Sequence, residues 1–442
     1  MTERVNNKNS FFGSLVRLLL AAEKWFATLL YFYLTEPFFL LYIKEGFSWV
    51  TRLNFYLGNL LFWIVFGLLA LRWKRSIGVV SRGKFLLIFV AITIISTVWS
   101  DFPKDSQNQG IRLLQTTLMG AYLASRYSLK EQTRMMTLMF GIAAVLSLLY
   151  VFAQPQYGVM HKLSLAGSWR GIFVHKNTLG RMMVIGAMFF LINGLSKPRK
   201  NWIGWAFLLL AIQLILGTNS KGALVSFFAL VFISPAYRIF RWNPAISIPL
   251  YLIILLLVGN VATWLTDNWI TALASIGKDD TLNGRVPIWE IITERIQERP
   301  WLGYGYFGFW QDWKGKWSAM IFRAIPWHPD QAHNGFLDVV LQLGIVGGVV
   351  FMLAFLDAIV KAVNWIRLTR TVENFWPLGF MSYFVFMNLS QTIIMSPYTL
   401  VWVLFTTISF SEIELPDRVS QTDPNHLRTN NLTKKITKRL AK

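Results

Sequence analysis

The stretch WHPDQAHNGF, residues 327–336, combines side chains that could do acid–base chemistry on a hydroxyl group. Two of the chain's five histidines, His328 and His333, stand here near the carboxamides of Gln331 and Asn334. An imidazole titrates near neutral pH, so it can accept a proton from a reacting hydroxyl. The next residues form an apolar stretch long enough to cross a membrane. This chemistry is therefore expected at a membrane surface.

A metal site is the alternative explanation for two neighbouring histidines. A separation of five residues places His328 and His333 on different faces of any helix, and the chain has no cysteine. Asp330 alone makes a poor third ligand for zinc. The sequence therefore predicts no metal and no other cofactor.

A second group of candidates carries positive charge or a carboxamide and comes from three separate stretches. Its members are Arg170, His175, Lys176, Asn177 and Arg181 within residues 154–181, Lys221 within 218–222, and Arg285. Such side chains at one membrane face could bind phosphate oxygens and stabilise negative charge. For Lys221 and Arg181 the alternative is contact with lipid phosphates. For Arg285 the alternative is an ion pair with Asp279 or Asp280.

The residues after Arg285 predict an amphipathic helix. Pro287 suits a first helical turn, and the pair Arg299–Pro300 suits an ending. One face would carry Glu290, Glu294 and Glu298, and another would carry Trp289, Ile292 and Ile296. Arg285 would then stand at a helix N-terminus, where backbone N–H groups add to its attraction for an anion.

The segment Gly303–Gly308, the aromatic turn, matches the glycine spacing of a dinucleotide-binding loop. No strand and crossover unit surrounds it, so the sequence predicts a turn and no nucleotide site. Aromatic side chains in this region could stack on sugars or form an interfacial belt. They are Tyr304, Tyr306, Phe307, Trp310, Trp313 and Trp317.

The composition dictates which elements position these residues. Hydrophobic residues make up 54% of the chain and charged residues 15%, which excludes an ordinary soluble domain. The sequence predicts an all-α, polytopic membrane bundle of about twelve transmembrane helices. The predicted spans are 25–43, 54–71, 85–99, 111–125, 135–153, 177–195, 202–217, 222–237, 246–266, 336–360, 376–395 and 399–412.

The distribution of positive charge predicts the orientation of the bundle. With a cytoplasmic N-terminus, the inner segments hold 27 Lys and Arg and the outer segments hold 14. The positive-inside rule therefore places both termini in the cytoplasm. Residues 1–412 are predicted to form one transmembrane domain with a large periplasmic loop at 267–335, and 413–442 a disordered tail. The net charge of +21 thus reflects topology and lipid contacts, and does not indicate nucleic-acid binding.

Several of these segments, taken in order, resemble the landmarks of the O-antigen ligase and polysaccharide polymerase superfamily. They cover roughly residues 95–350 and include Trp99-Ser100-Asp101, 170–177 (RGIFVHKN), 220–223 (SKGA), 284–289 (GRVPIW), 299–305 (RPWLGYG) and 333–337 (HNGFL). The His-Lys-Asn form in the second landmark is more similar to exopolysaccharide polymerases than to lipopolysaccharide ligases.

The resemblance implies an integral-membrane glycosyltransferase whose donor is a sugar chain on undecaprenyl pyrophosphate, with no need for a metal or a nucleotide. The loop histidine of the family falls on His333, its long-loop arginine on Arg285, and its earlier basic motif on Arg170. Many relatives carry arginine at Lys221, where lysine keeps the charge and loses the bidentate fork. Asn334 is expected to position His333 or a sugar hydroxyl.

The favoured function is polymerisation of lipid-linked repeat units at the periplasmic face of the bacterial inner membrane. A ligase that moves finished chains to the lipid A core would use the same donor chemistry. A transporter is the second alternative, for which Glu36, Asp338 and Asp357 are the carboxylates within spans. A structural component is the third. Expected partners are the lipid-linked oligosaccharide, membrane lipids, a flippase and a chain-length regulator, and no nucleic acid.

Overall fold

The computed structural model describes residues 2–37, 48–162, 165–196, 200–233, 285–325, 328–369, 371–389 and 391–412. The predicted span 246–266, residues 267–284 of the predicted loop and the predicted tail 413–442 lie outside the described residues. Regular structure within the described residues is helical, apart from an isolated bridge between Val159 and Trp169. The all-α prediction is therefore confirmed for the part of the chain that can be assessed.

The described α-helices follow in chain order. They are α1 (Thr2–Tyr33), α2 (Ser48–Leu71), α3 (Trp73–Val80), α4 (Lys84–Ile95), α5 (Pro103–Arg126), α6 (Leu129–Ala153), α7 (Pro155–Gly158), α8 (Lys176–Ser196), α9 (Trp202–Gly217), α10 (Lys221–Ile233), α11 (Arg285–Glu298), α12 (Lys316–Ala324), α13 (Gly335–Leu368), α14 (Trp376–Asn388) and α15 (Leu400–Phe410).

Four helical stretches within the described residues are long and apolar enough to cross a membrane. They are Trp73–Val98, which joins α3 and α4 through 3₁₀ turns, and the helices α6, α8 and α13. The chain is therefore a multi-pass membrane protein. The total of twelve spans remains a prediction, because part of the chain lies outside the described residues.

Small residues allow the helices to pack closely. A Cβ atom on Gly204 of α9 would lie 2.9 Å from the backbone nitrogen of Gly194 in α8. A Cβ atom on Gly120 of α5 would lie 1.9 Å from the hydroxyl oxygen of Thr406 in α15. Close backbone approach increases packing contacts where the hydrophobic effect gives no driving force between helices. The helix α15 consequently has every residue buried.

Helix α13 is broken at Gly344, which has φ of +66°. The aromatic turn supplies backbone partners for the groups that the break releases. The N–H of Tyr304 donates to the carbonyl of Leu341 at 3.2 Å, and the N–H of Ile345 donates to the carbonyl of Pro300 at 2.8 Å. Non-helical backbone at membrane depth is stable only when such groups are paired inside the protein. The prediction of a turn at this position is confirmed.

Helices α14 and α15 are short: 13 and 11 residues correspond to about 20 and 17 Å, whereas the hydrocarbon core is about 30 Å thick. The prediction extended the first of them to residue 395, but it ends at Asn388. The chain between these helices, residues 389 and 391–399, is called the hairpin tip. Its N–H groups at Ile393 and Ile394 donate to the Asn388 side chain at 2.9 and 3.1 Å. The hairpin tip is therefore held against the end of α14, with Ile393, Ile394 and Met395 buried.

Candidate functional site

The structure brings the basic residues of two outer stretches together into the outer basic cluster. Its members are Arg170, His175, Lys176, Asn177 and Lys221. The Lys176 ammonium donates to the carbonyl of Asn219 at 3.2 Å and to the Ser168 hydroxyl at 3.4 Å. The Ser220 hydroxyl donates to the Asn177 carboxamide oxygen at 3.1 Å. These bonds join the start of α8 to the turn before α10, as the sequence predicted for residues at one membrane level.

Arg170 is held by the backbone of the preceding loop. Its Nε donates to the carbonyl of Tyr157 at 2.8 Å, and its N–H donates to the carbonyl of Gly158 at 2.8 Å. Burial lowers the pKa of the Arg170 guanidinium, which nevertheless stays charged at any physiological pH. The following residue, Gly171, has φ of +56°, and a Cβ there would lie 2.5 Å from Ser147. The turn therefore requires glycine next to the arginine.

His175 caps the N-terminus of α8, since its Nδ1 accepts the N–H of Asn177 at 3.2 Å. Burial lowers the pKa of His175, and so do neighbouring positive charges. In decreasing order these charges belong to Lys176, Arg181, Arg170 and Lys162. The imidazole is therefore neutral near pH 7 and serves as a hydrogen-bond acceptor within a positively charged environment.

Lys221 stands at the start of α10 with an exposed side chain. The preceding turn is fixed by Ser220, whose hydroxyl accepts the N–H of Ala223 at 3.4 Å. The N–H of Trp169 donates to the carbonyl of Gly217 at 2.8 Å. Two of the three stretches that were predicted to converge are thus bonded directly to each other.

The helix that Arg285 begins is bonded to the loop that carries His333. The Trp289 indole N–H, one turn along α11, donates to the carbonyl of Ala332 at 2.8 Å. His333 itself is half-buried and has φ of +52°. The side chain of Arg285 lies outside the described atoms. The backbone nevertheless places the N-terminus of α11 beside the predicted catalytic histidine.

The predicted polar face of α11 is confirmed, because Glu290, Glu294 and Glu298 are exposed. On the predicted apolar face Ile292 is completely buried, whereas Trp289 and Ile296 are partly buried; Ile288, which was not predicted there, is completely buried too. The helix begins at Arg285 and ends before the Arg299–Pro300 pair, as the sequence predicted.

Asn334 caps the N-terminus of α13. Its side-chain oxygen accepts the N–H groups of Phe336 and Leu337, both at 3.1 Å. A Cβ atom at Gly335 would lie 2.1 Å from the side-chain oxygen of Asn388, so this cap packs directly on the base of the hairpin tip. Any role of Asn334 in positioning a sugar hydroxyl therefore falls to its amide N–H groups.

A cavity of about 440 Å³ lies between α8, the start of α13 and the hairpin tip. Arg181 is the predicted site residue in its described lining, and Gln331, two residues before His333, also lines it. An Arg181 terminal nitrogen donates to the Thr178 hydroxyl at 3.2 Å, and its Nε is buried with no hydrogen-bond partner among the described residues. The wall of the cavity therefore carries a permanent positive charge.

The cavity is also lined by three carboxylates, Glu36, Asp330 and Asp338, and by the amide of Gln342, which the sequence did not assign to the site. Asp338 is only 1% exposed, and its Oδ1 accepts the indole N–H of Trp310 at 2.8 Å. Gln342, one turn further along α13, accepts the N–H of Phe307 at 2.7 Å. The sequence marked Asp338 only as a carboxylate within a span. Its position five residues after His333 is the sequence feature that could have identified it as a residue of the site.

The structure divides the aromatic side chains that were predicted to stack on sugars. Tyr304 and Tyr306 are completely buried, so neither can form a sugar platform or an interfacial belt. Burial and the nearby Glu298 carboxylate raise the pKa of Tyr304 to about 12. Trp310 lines the cavity, and Trp313 is exposed. Trp310 is thus the indole placed to contact a sugar inside the cavity.

The two histidines of the WHPDQAHNGF stretch differ in their surroundings. The ring of His328 packs against Phe322 and Trp313 at centroid distances of 4.7 and 5.1 Å. His333 lies on the other side of Pro329, in the loop that is bonded to α11. Within the described residues, the structure contains no group of three His, Asp or Glu side chains that could hold a metal ion.

Two residues of the landmark Trp99-Ser100-Asp101 pack on the landmark that begins at Arg299. The Trp99 indole N–H donates to the carbonyl of Leu302 at 2.9 Å. The Arg299 guanidinium pairs with the Asp101 carboxylate at 3.2 Å. Segments about 200 residues apart in sequence therefore support the aromatic turn, and through it the break in α13.

Comparisons with known proteins agree with the resemblance that these landmarks predicted. A family model described as O-antigen ligase matches residues 205–352. The exopolysaccharide production protein ExoQ of Rhizobium meliloti is 24% identical over 299 residues, which cover 65% of this chain and 66% of that relative, just under two thirds of its length. A protein of Rickettsia conorii whose name describes a polysaccharide ligase is 33% identical over 70 residues, 15% of this chain and 17% of that relative. The predicted similarity to the O-antigen ligase and polysaccharide polymerase superfamily is confirmed.

Proposed function

We propose that this protein, similar to O-antigen ligases and polysaccharide polymerases, joins lipid-linked oligosaccharide repeat units into exopolysaccharide or O-antigen. The donor is a sugar chain on undecaprenyl pyrophosphate, and the reaction takes place at the periplasmic face of the bacterial inner membrane. The observation that carries this proposal is the recessed cavity, in which Arg181 lies below the loop of His333. A lipid-linked donor presents its pyrophosphate at the membrane surface, where such a cavity can receive it.

The chemistry of sugar transfer fits the residues around the cavity. The bond from the anomeric carbon to the pyrophosphate must break, and negative charge grows on the leaving phosphate. Guanidinium groups are permanently charged and match phosphate oxygens in geometry. In the proposal, Arg285 and Arg170 hold the pyrophosphate, with Arg181, Lys176 and Lys221 adding positive charge. His175 and Asn177 keep the outer stretches that carry these groups in place.

His333 acts on the acceptor in this proposal, either as general base or as the group that orients the hydroxyl. Asn334 fixes the start of α13 and thereby the position of His333. Attack from the face opposite the phosphate inverts the configuration at the anomeric carbon. Because cationic side chains neutralise the leaving group, the reaction needs neither a metal nor a nucleotide.

A ligase that transfers finished chains to the lipid A core is the second candidate. It is favoured by the matched family model, whereas the name of the Rhizobium meliloti relative favours polymerisation. Both reactions use the same donor and differ in the acceptor. Membrane lipids, a flippase that supplies the donor and a regulator of chain length would be the partners of the polymerase.

A transporter receives less support from the structure. The break in α13 at Gly344 is of a kind that lines substrate sites in transporters. In this protein, however, the released groups at Leu341 and Ile345 are bonded to the chain's own loop. They are therefore occupied and cannot coordinate a transported ion.

The proposal is tested with purified protein in lipid nanodiscs and undecaprenyl-pyrophosphate-linked repeat units. Wild-type protein should extend the units into a ladder of longer chains on the lipid. His333→Ala and Arg285→Ala should each lower the rate by at least about 100-fold. His328→Ala and Arg299→Ala are the matched controls, because they remove the same side-chain types from neighbouring positions. Normal long chains from a stably folded His333→Ala or Arg285→Ala protein would contradict the assignment.

A further inference from the structure

The carboxylates that the sequence placed within spans have different partners. Asp357 forms an ion pair with Lys361 at 2.8 Å, one helical turn away, and both side chains are partly exposed. Asp338 is 1% exposed and, among the described side chains, forms no ion pair with a basic group. The pairing explains Asp357 as a structural residue. Asp338 is held instead by hydrogen bonds from groups that carry no charge, among them the Trp310 indole N–H.

A carboxylate at membrane depth is expensive to keep. Burying a carboxylate costs free energy unless it is paired or hydrogen-bonded, and ionisable residues within spans generally mark sites of chemistry. Asp338 does not need its charge to accept a hydrogen bond from Trp310, because a neutral carboxamide oxygen would accept the same N–H. Hence packing alone does not explain why an acid stands at this position.

The geometry holds Asp338 firmly and exposes it to the cavity. It lies in the first turn of α13, which Asn334 caps. The Trp310 indole fixes its Oδ1 at 2.8 Å, and the same indole lines the cavity with it. Arg181 of α8 lines the cavity as well. Asp338 and a permanent cation thus border one recessed space large enough for a sugar ring, which Glu36 and Asp330 line as well.

We infer that Asp338 is the catalytic base that accepts the proton of the acceptor hydroxyl inside this cavity. The inference rests on the proposed function. The acceptor oxygen forms a new bond to the anomeric carbon as the bond from that carbon to the phosphate oxygen breaks. The electron pair of the broken bond leaves with undecaprenyl pyrophosphate, and the hydroxyl proton moves to the Asp338 carboxylate, which later releases it to water.

This assignment separates the two roles that His333 could have. The cavity contains Asp338, whereas His333 stands in the loop at its edge, two residues after Gln331. His333 therefore orients the acceptor, and Asp338 takes the proton. Trp310 is a positioning residue, since its N–H fixes one oxygen of the carboxylate at the wall of the cavity.

Asp338→Asn is the decisive substitution, because asparagine keeps the shape and can still accept the bond from Trp310. Single-turnover transfer in nanodiscs should fall by about 10²–10⁴-fold, the range expected when a general base is lost. Affinity for the lipid-linked donor, measured by its displacement from the protein, should stay within about threefold of the wild type. Asp357→Asn is the matched control and should keep transfer within about threefold. His333→Gln, which keeps a hydrogen-bonding group, should retain more transfer than Asp338→Asn.

The outcomes distinguish this inference from the proposed function. Absence of transfer by the wild-type protein would contradict the proposed function itself. Active wild type with equally active Asp338→Asn would overturn the inference alone, as would a His333→Gln protein less active than Asp338→Asn. If the Asp338→Asn protein fails to fold, the Trp310→Phe protein is tested in its place. We then expect slower transfer with unchanged affinity for the donor. Transfer at the wild-type rate would overturn the inference.

Discussion

The outer basic cluster and the cavity both carry positive charge, yet they differ in how much of their polar surface is already used. In the cluster, Lys176 and Arg170 donate to backbone carbonyls, and His175 and Asn177 accept bonds from neighbouring groups. In the cavity, the Arg181 guanidinium borders open space. Several polar groups of the cluster are therefore used to join loops to each other, whereas the Arg181 guanidinium lies at the wall of a cavity that could receive a ligand.

This difference teaches that charge alone does not identify a phosphate-binding residue. Lys176 and Arg181 lie five residues apart at the start of the same helix. Lys176 donates a hydrogen bond to the turn before α10, whereas Arg181 lines the cavity next to the hairpin tip. We therefore expect the first to contribute mainly to stability and the second mainly to catalysis.

The largest effect should come from Arg181→Ala. Loss of a fixed charge next to a developing anion typically slows a reaction by about 10²–10³-fold. Transfer in nanodiscs should fall by that factor, and the melting temperature should change little. Arg181→Lys should recover part of the rate, because lysine keeps the charge and loses the planar fork. If the Arg181→Ala protein transfers sugar at the wild-type rate, the cavity has no part in the mechanism. The cavity and the outer basic cluster would then not differ in function.

A smaller effect on activity is expected for Lys176→Met, which keeps the length of the side chain and removes its charge. Two hydrogen bonds across the loop junction would be lost, so the free energy of unfolding should fall by about 1–2 kcal/mol. Transfer should drop only a few-fold. Thermal unfolding in detergent and the nanodisc assay measure the two quantities. If transfer falls as far as in Arg181→Ala while stability is unchanged, the outer basic cluster is itself the phosphate site.

The smallest effect is predicted for the pH dependence of stability at His175. Its pKa in the folded protein is lowered, so the unfolded chain binds the extra proton more readily once the pH falls below the ordinary value of about 6.5. Stability is therefore lost on acidification through that value. His175→Asn keeps an acceptor for the N–H of Asn177 and does not titrate. Its unfolding temperature should fall less than that of the wild type between about pH 7 and pH 5; an identical decline would show that His175 contributes nothing to it.

Local features of the fold could be predicted from the sequence. The faces of α11 followed from the spacing of its glutamates and isoleucines, because one turn of helix advances 3.6 residues. The turn at Gly303–Gly308 followed from its glycines and from the absence of a surrounding strand. Both features are determined by residues that are close in sequence, and for this reason a single sequence is enough to predict them.

The cavity could not be predicted in the same way. The predicted span 376–395 joined two apolar runs across the polar residues Asn388, Ser390, Gln391 and Thr392, although α14 ends at the first of them. That end depends on Asn388 accepting bonds from Ile393 and Ile394 and on close packing against Gly335. The position of Asp338 at the cavity likewise depends on the hairpin tip and on Trp310, which are distant from it in sequence. Long-range contacts of this kind leave no periodic pattern in a single sequence.

The break in α13 also has a consequence for the order in which the protein is made. Residues 300–305 leave the ribosome before α13 does, so the groups that bond to Leu341 and Ile345 already exist when the helix enters the membrane. If these hydrogen-bond partners were made later, the backbone groups at the break would stay unpaired in the membrane after the helix had entered it. Placing the partners upstream in the chain allows the break at Gly344 to close as the helix arrives.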